Sequence, residues 1–314
     1  MTADRLRARL AGARPRAERA LASLGTAIEL LRAIRTRLQI IVVRRRGAVA
    51  QRFPAPVQRG PGPRVLAVVT HLTREGRPEE ELVERLRQTI DGLLTSLGHT
   101  RLELALNTLP GRHVADRLPA YQRDRLTVCE RADVDDPLFL GFEAQELFAG
   151  RLEEFDWFLF LEDDLVLTDS LLLEKLAFFA AAAPADAVLL PHRYELLEGG
   201  KVWIDMRSRH RPDEVTTASR LTQVVAGDWT FAEHVNPHSG FYALSREQVR
   251  RWLASGRHWY KLCSYYGPLE SAATGCLEEC FRIYKPHPDT REFFEIRHYG
   301  TRYAELYERR PEEP

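Results

Sequence analysis

The stretch Asp156-Trp157-Phe158-Leu159-Phe160-Leu161 runs directly into Glu162-Asp163-Asp164, and no other feature constrains the fold as much. A near-continuous apolar run reads as a strand buried on both faces, which is the habit of parallel sheets covered by helices. In such open sheets ligands gather just beyond the carboxyl ends of the strands. Three acids arrive at that place together. Adjacent carboxylates in a low-dielectric crevice raise one another's pKa unless a cation neutralises them, and hard oxygen ligands suit Mg²⁺ or Mn²⁺. The triplet is therefore read as a site for a divalent metal and a phosphorylated substrate. Capping of the next helix, expected over 171–182, is the plain alternative. Asp169 and Ser170 stand closer to that helix start and can serve it. On spacing alone a solvated turn stays open.

The chain has 314 residues, 44% of them hydrophobic, enough to bury a sizeable core in one large domain or two modest ones. Its 45 basic and 45 acidic residues balance only in sum. Residues 1–64 hold 15 Arg and 3 acids, a net +12, which leaves −12 on the remainder. A basic arm can approach anionic lipid or nucleic acid, or dock on its own acidic body. Docking or self-association is ranked first, and no nucleic-acid partner is expected. No stretch reaches the roughly 18–20 apolar residues of a membrane span, and the start lacks the apolar core of a secretory signal. The expected location is the cytoplasm, with peripheral contact at the inner membrane face. Cys129, Cys263, Cys276 and Cys280 are too few and too irregular for a disulfide framework and are read as reduced structural residues. The preponderance of Arg among the basic residues suggests a high-GC bacterial genome.

Leu21, Leu24, Ile28, Leu31, Ile34, Leu38 and Ile41 recur at steps of three and four, the stripe of an amphipathic helix. Residues 1–46 are thus a basic helical arm, with self-association or membrane contact assigned to 16–46. The Pro- and Gly-rich segment 47–63 is a linker, because proline removes backbone donors. Beyond it the pattern alternates: strands over 65–70, 102–107, 126–129 and 157–161, helices over 79–97 and 138–152. Alternation with short links argues for an α/β domain over 64–314, with a mostly parallel central sheet flanked by helices. It also places Thr70-His71 near the acidic triplet if their strands are neighbours. After Pro184 the pattern becomes mixed, with strands over 187–191 and 201–205. Residues 64–168 form the expected nucleotide-binding half and 169–314 the acceptor half.

A Thr-His-Leu-Thr turn after the first strand, a Rossmann-like front half, Phe158-Leu159-Phe160-Leu161-Glu162-Asp163-Asp164 and a mixed back half together resemble a GT-A-fold glycosyltransferase. The triplet resembles that superfamily's DXD motif. Asn236 to Arg246, with Gly240-Phe241-Tyr242-Ala243-Leu244-Ser245-Arg246, resembles the "G-x-Y-x-L-S-R" segment of Fringe-like transferases. Gly267-Pro268-Leu269-Glu270-Ser271-Ala272-Ala273-Thr274-Gly275-Cys276-Leu277 resembles their "E-D-V-x-V-G-x-C-L" segment. The resemblance covers about 64–300, and each motif alone is short. Where the family has its Asp this chain has Ser271, so the available carboxylate is Glu270.

The resemblance implies a Mn²⁺- or Mg²⁺-dependent transferase that uses a nucleotide diphosphate sugar, a UDP-sugar first, and a glycan or glycolipid acceptor. Asp164 would bind the metal, Asp163 would support it and Glu162 would face the ribose, with Thr70 and His71 beside the nucleotide. His298 would be a further metal ligand, with His287 as runner-up. In an inverting transfer Glu270 would take the proton from the acceptor hydroxyl. Asp228, Trp229, Ser239 and Gly240 are candidate substrate contacts. Arg291, Arg297 and Arg302 could pair with diphosphate oxygens, although a solvated strip explains them equally well. Two alternatives stand beside this reading. One is a sugar-phosphate nucleotidyltransferase, disfavoured because the turn after the first strand is not Gly-rich. The other is a non-catalytic transferase-like scaffold.

Overall fold

The computed structural model describes residues 62–73, 76–206, 222–233, 236–256, 267–278 and 280–308. The expected arm and all but the last two residues of the linker lie outside the described residues. The elements in chain order are β1 (Arg64–Thr70), α1 (Glu79–Leu97), β2 (Arg101–Thr108), β3 (Leu126–Glu130), α2 (Ala144–Gly150) and β4 (Trp157–Glu162). There follow β5 (Leu165–Val166), α3 (Leu172–Ala182), β6 (Ala187–Leu189), β7 (His192–Leu197), β8 (Gly200–Trp203) and β9 (Gln223–Ala226). The last are β10 (Trp229–Glu233), β11 (Phe241–Ser245), α4 (Arg246–Ala254), β12 (Arg282–Pro286), β13 (Glu295–His298) and α5 (Arg302–Glu308).

The main sheet has the order β3-β2-β1-β4-β11. Its first four strands are parallel, and β11 runs antiparallel to β4. The apolar run of β4 is explained by its two faces. Leu159 and Leu161 join Val65, Ala67 and Val69 under α1 and α3, while Phe158 and Phe160 join Leu66 and Val68 against α2 and α4. Both layers are dry, so alternation of polar and apolar side chains has no place here. The α/β expectation holds: a mostly parallel, Rossmann-like sheet is flanked by helices.

The sheet starts at β1, and the chain winds outward to β2 and β3, then returns past β1 to β4. The winding direction therefore reverses between β1 and β4, which opens a crevice at their carboxyl ends. Thr70 and Glu162 are partners in that register, so the first loop and the triplet are neighbours as expected. Two four-stranded mixed sheets complete the back half, β6-β12-β10-β9 and β5-β13-β7-β8. One expectation is corrected. The helix expected over 138–152 is a tighter helical stretch, Pro137–Glu143, followed by the shorter α2. Asp136 caps it at Leu138 N, and Gly141 is pressed against Ala272, where a Cβ would come within 2.8 Å of that side chain.

Candidate functional site

The three acids of the triplet meet three different environments. Asp163 turns inward, 8% exposed, and its Oδ2 accepts from His71 Nδ1 at 2.5 Å and from Arg85 Nη2 at 2.8 Å. Val114 N–H donates to the other ring nitrogen of His71, which leaves the proton on Nδ1, facing Asp163. Thr89 Oγ1 donates to the Asp163 carbonyl at 2.9 Å. This carboxylate anchors the turn to β1 and α1. Glu162 is pushed up to about 8 by burial and then by the charge of Asp164, with Arg193 opposing. Gly240, at φ +63°, lies beneath it, and a Cβ there would stand 2.7 Å from Glu162 Oε2.

Asp164 faces the crevice with 26% of its side chain exposed. Its Oδ1 is buried without a hydrogen-bond partner. Oδ2 stands 3.6 Å from His298 Nε2, a residue 134 positions later in the chain. The small sheet brings that histidine here: β5 directly follows the triplet, and His298 of β13 pairs with Leu165. On the other side of β13, β7 presents Glu195, which is fully buried and accepts from His298 Nδ1 at 2.8 Å. Burial alone would lower the imidazole pKa, but the carboxylates of Asp164 and Glu195 beside it raise it to about 9. Asp164 is held down at about 2: burial opposes this, and His298, Arg85 and Arg193 outweigh it.

Arg193, also on β7, donates through Nε and Nη2 to Asp205 Oδ1 at 3.0 and 2.7 Å. Lys285 Nζ reaches Asp205 Oδ2 at 3.0 Å and the His238 carbonyl at 2.8 Å. Despite burial, these two cations keep Asp205 far below the usual carboxylate range. A buried carboxylate between two cations fixes the Arg193 guanidinium at the cavity wall.

Arg193, with the acids of the triplet and His298, borders a cavity of about 680 Å³. Of the residues singled out from the sequence, Thr70, Glu162, Asp163, Asp164, Glu270 and His298 line it, joined by Arg302. Thr70 Oγ1 is buried without a partner. Glu270 ends the helical turn Pro268–Glu270, which widens through Ser271–Gly275 and packs Thr274 within 3.2 Å of His238. The remaining candidates lie elsewhere. His71 is sealed below the cavity at 1% exposure. Asp228 and Trp229 stand at the tip of the β9–β10 hairpin, where Trp229 packs on Phe293 at 4.8 Å between ring centroids. Ser239 is buried and donates to the Pro191 carbonyl at 3.0 Å, a loop-packing role. Gly240 backs the wall by admitting Glu162. His287 accepts from Asp289 N–H at 3.3 Å and caps its own turn, while Arg291 stacks over Trp203 at 4.3 Å. Sequence reasoning missed Arg77, Arg85 and Arg193 as cavity-lining residues, missed Glu195 behind His298, and within 299–306 singled out Arg302 alone. Arg77 stands on the loop before α1, Arg85 on α1 and Arg193 on β7, and no local pattern connects them to the triplet.

The donor set suits a cation shared with a ligand. Among the described residues no group of three or more His, Cys, Asp or Glu converges on one point. Asp164 with its free oxygen and His298 supply two donors, and an octahedral Mg²⁺ or Mn²⁺ commonly takes the rest from substrate phosphates and water. Arg85, paired with Asp163, and Arg193, paired with Asp205, line the same cavity beside the acids.

No protein-family profile and no curated protein matches the chain. Among solved structures it is similar to mannose-1-phosphate geranyltransferase from Thermus thermophilus, at 18% identity, over 71% of this chain and 73% of that one, with a TM-score of 0.36. An overlay that loose carries no information on reaction or substrate.

Proposed function

We propose that this chain is a divalent-cation-assisted sugar transferase of the GT-A type, taking a sugar from a nucleotide diphosphate to a glycan or glycolipid hydroxyl. The observation that supports it is the meeting, in one cavity at the β1/β4 reversal, of Asp164 with an unpartnered oxygen, His298, two flanking arginines and Glu270. Asp164 and His298 would hold Mn²⁺ or Mg²⁺. When bound, the ion would stabilise the negative charge gathered by the diphosphate as the anomeric bond breaks. Arg193 and Arg85 face the same charge. In an inverting transfer Glu270 accepts the proton of the acceptor hydroxyl as its oxygen bonds to the anomeric carbon, and the electron pair of the broken bond leaves on the diphosphate. Glu162 would face a sugar or ribose oxygen.

One observation favours a second reading, nucleotidyl transfer to a sugar phosphate: Arg77, on the loop after β1, lines the cavity where a triphosphate would need cations. A thermal-shift panel of UDP-, GDP-, CMP- and dTDP-sugars with and without Mn²⁺, on wild type and Asp164→Ala, tests the site through ligand stabilisation. The expected result is a shift with one nucleotide class that requires Mn²⁺ and vanishes in Asp164→Ala. Stabilisation by nucleoside triphosphate plus sugar 1-phosphate, with pyrophosphate release, would instead establish the second reading. No shift with any ligand at saturation would leave the scaffold reading.

A further inference from the structure

Glu195 is a buried carboxylate that the proposed chemistry does not use, yet it touches two parts of the site. Oε1 accepts from His298 Nδ1 at 2.8 Å, and Oε2 accepts from Ala304 N–H at 2.6 Å, in the first turn of α5. A fully buried carboxylate left with an unpaired oxygen is costly, so both bonds matter to its presence there. The first bond sets His298 in the tautomer whose Nε2 points at Asp164. Such partners of a ligating imidazole orient the ring and raise its basicity. The second bond ties α5 to the same carboxylate. The chain from Tyr299 through Leu306, which contains the second contact, forms one wall of the cavity, and Tyr299 N–H also donates to the Asp164 carbonyl at 2.7 Å.

We propose that Glu195 is a positioning residue that couples cation binding at Asp164 and His298 to the seating of the C-terminal wall, 299–306. The proposal rests on the cation site put forward above. It follows from counting acceptors. Glu195 offers two carboxylate oxygens to two donors, and any ligand that fixes His298 Nε2 also holds Glu195 in the orientation that Ala304 requires. Glu195→Gln is nearly isosteric but leaves one carbonyl oxygen for the two donors, so either His298 or α5 loses its partner.

Two measurements on the full chain test this. Free Mn²⁺ is titrated by electron paramagnetic resonance in the presence of UDP, for wild type, Asp164→Ala and Glu195→Gln. In parallel, hydrogen exchange of the 299–306 amides is followed in wild type with and without Mn²⁺ and UDP. The expected results are affinity about ten- to a hundredfold weaker in Glu195→Gln, and slower exchange across 299–306 on Mn²⁺ addition in wild type. No Mn²⁺ binding by wild type, or binding that survives Asp164→Ala, would overturn the cation site itself. Binding lost in Asp164→Ala but unchanged in Glu195→Gln, or exchange across 299–306 indifferent to Mn²⁺, would overturn the coupling alone. If Glu195→Gln fails to fold, the wild-type exchange measurement still decides.

Discussion

At neutral pH the imidazole of His298 carries a proton held between Asp164 and Glu195, with a pKa near 9. A base whose pKa is raised on folding stabilises the native state below its unfolded value, near 6.5, and loses that contribution as pH rises through about 9. The ligand-free protein is thus expected to lose this increment of stability between those limits. Cation binding has the opposite slope, because the metal must displace the same proton. Mn²⁺ affinity should climb with pH by up to about tenfold per unit until roughly pH 9, and His298→Gln should flatten that rise; calorimetric titration across pH 6.5–9 measures it. Asp164 and Glu270 were legible in the sequence only as candidates, from the acids after a buried strand and from the motif resemblance; both line the cavity. The roles of Asp163 and His71 were not legible. Their pairing with each other and with Arg85 joins residues 71, 85 and 163, which no local pattern connects.

Helix α1 shows what a periodic element reveals and what it hides. Its apolar spacing predicts residues 79–97, which are the bounds of Glu79–Leu97, since one face of a long helix must meet the sheet. Gly92 within it reads only as a weak point. In the fold, a Cβ at Gly92 would stand 2.7 Å from Leu167 O and 2.9 Å from Leu167 N, so the glycine permits α1 to lie directly on the strand that leaves the acidic triplet. Alanine would favour the isolated helix by about 1 kcal/mol. Here Gly92→Ala should instead destabilise by roughly 1–3 kcal/mol, because two backbones must separate. Urea unfolding measures the loss, and a gain in stability would show that the two elements can part freely. The stretch 138–152 illustrates the opposite limit. Its apolar spacing suggested one helix, and close packing of Gly141 on Ala272 accompanies a tighter coil followed by a short helix.

For the whole molecule, every residue lining the cavity falls between Thr70 and Leu306. Removal of residues 1–61 should therefore leave the Mn²⁺-dependent nucleotide shift of the body intact while changing oligomer size or liposome binding. Unchanged size and unchanged liposome binding would dismiss both roles for the arm. Residues 1–64 carry a net +12 and the remainder a net −12, and opposite charges of this size attract within or between copies. Among the described residues no helix is long and apolar enough to cross a membrane.

Hydrophobic periodicity, strand-to-helix alternation and the acids after β4 already specified an α/β sheet with a site beyond strand carboxyl ends, because burial patterns are local and repeat along the chain; that β1 is the neighbour of β4 there came from the fold. Which acid faces the crevice, which histidine meets it and which arginines flank it were decided only by tertiary structure. Strand pairing between β5, β13 and β7 joins residues 134 positions apart. The roles of Glu162, Asp163 and Asp164 diverge through burial and neighbouring charge, which depend on what surrounds each side chain rather than on its place in the sequence.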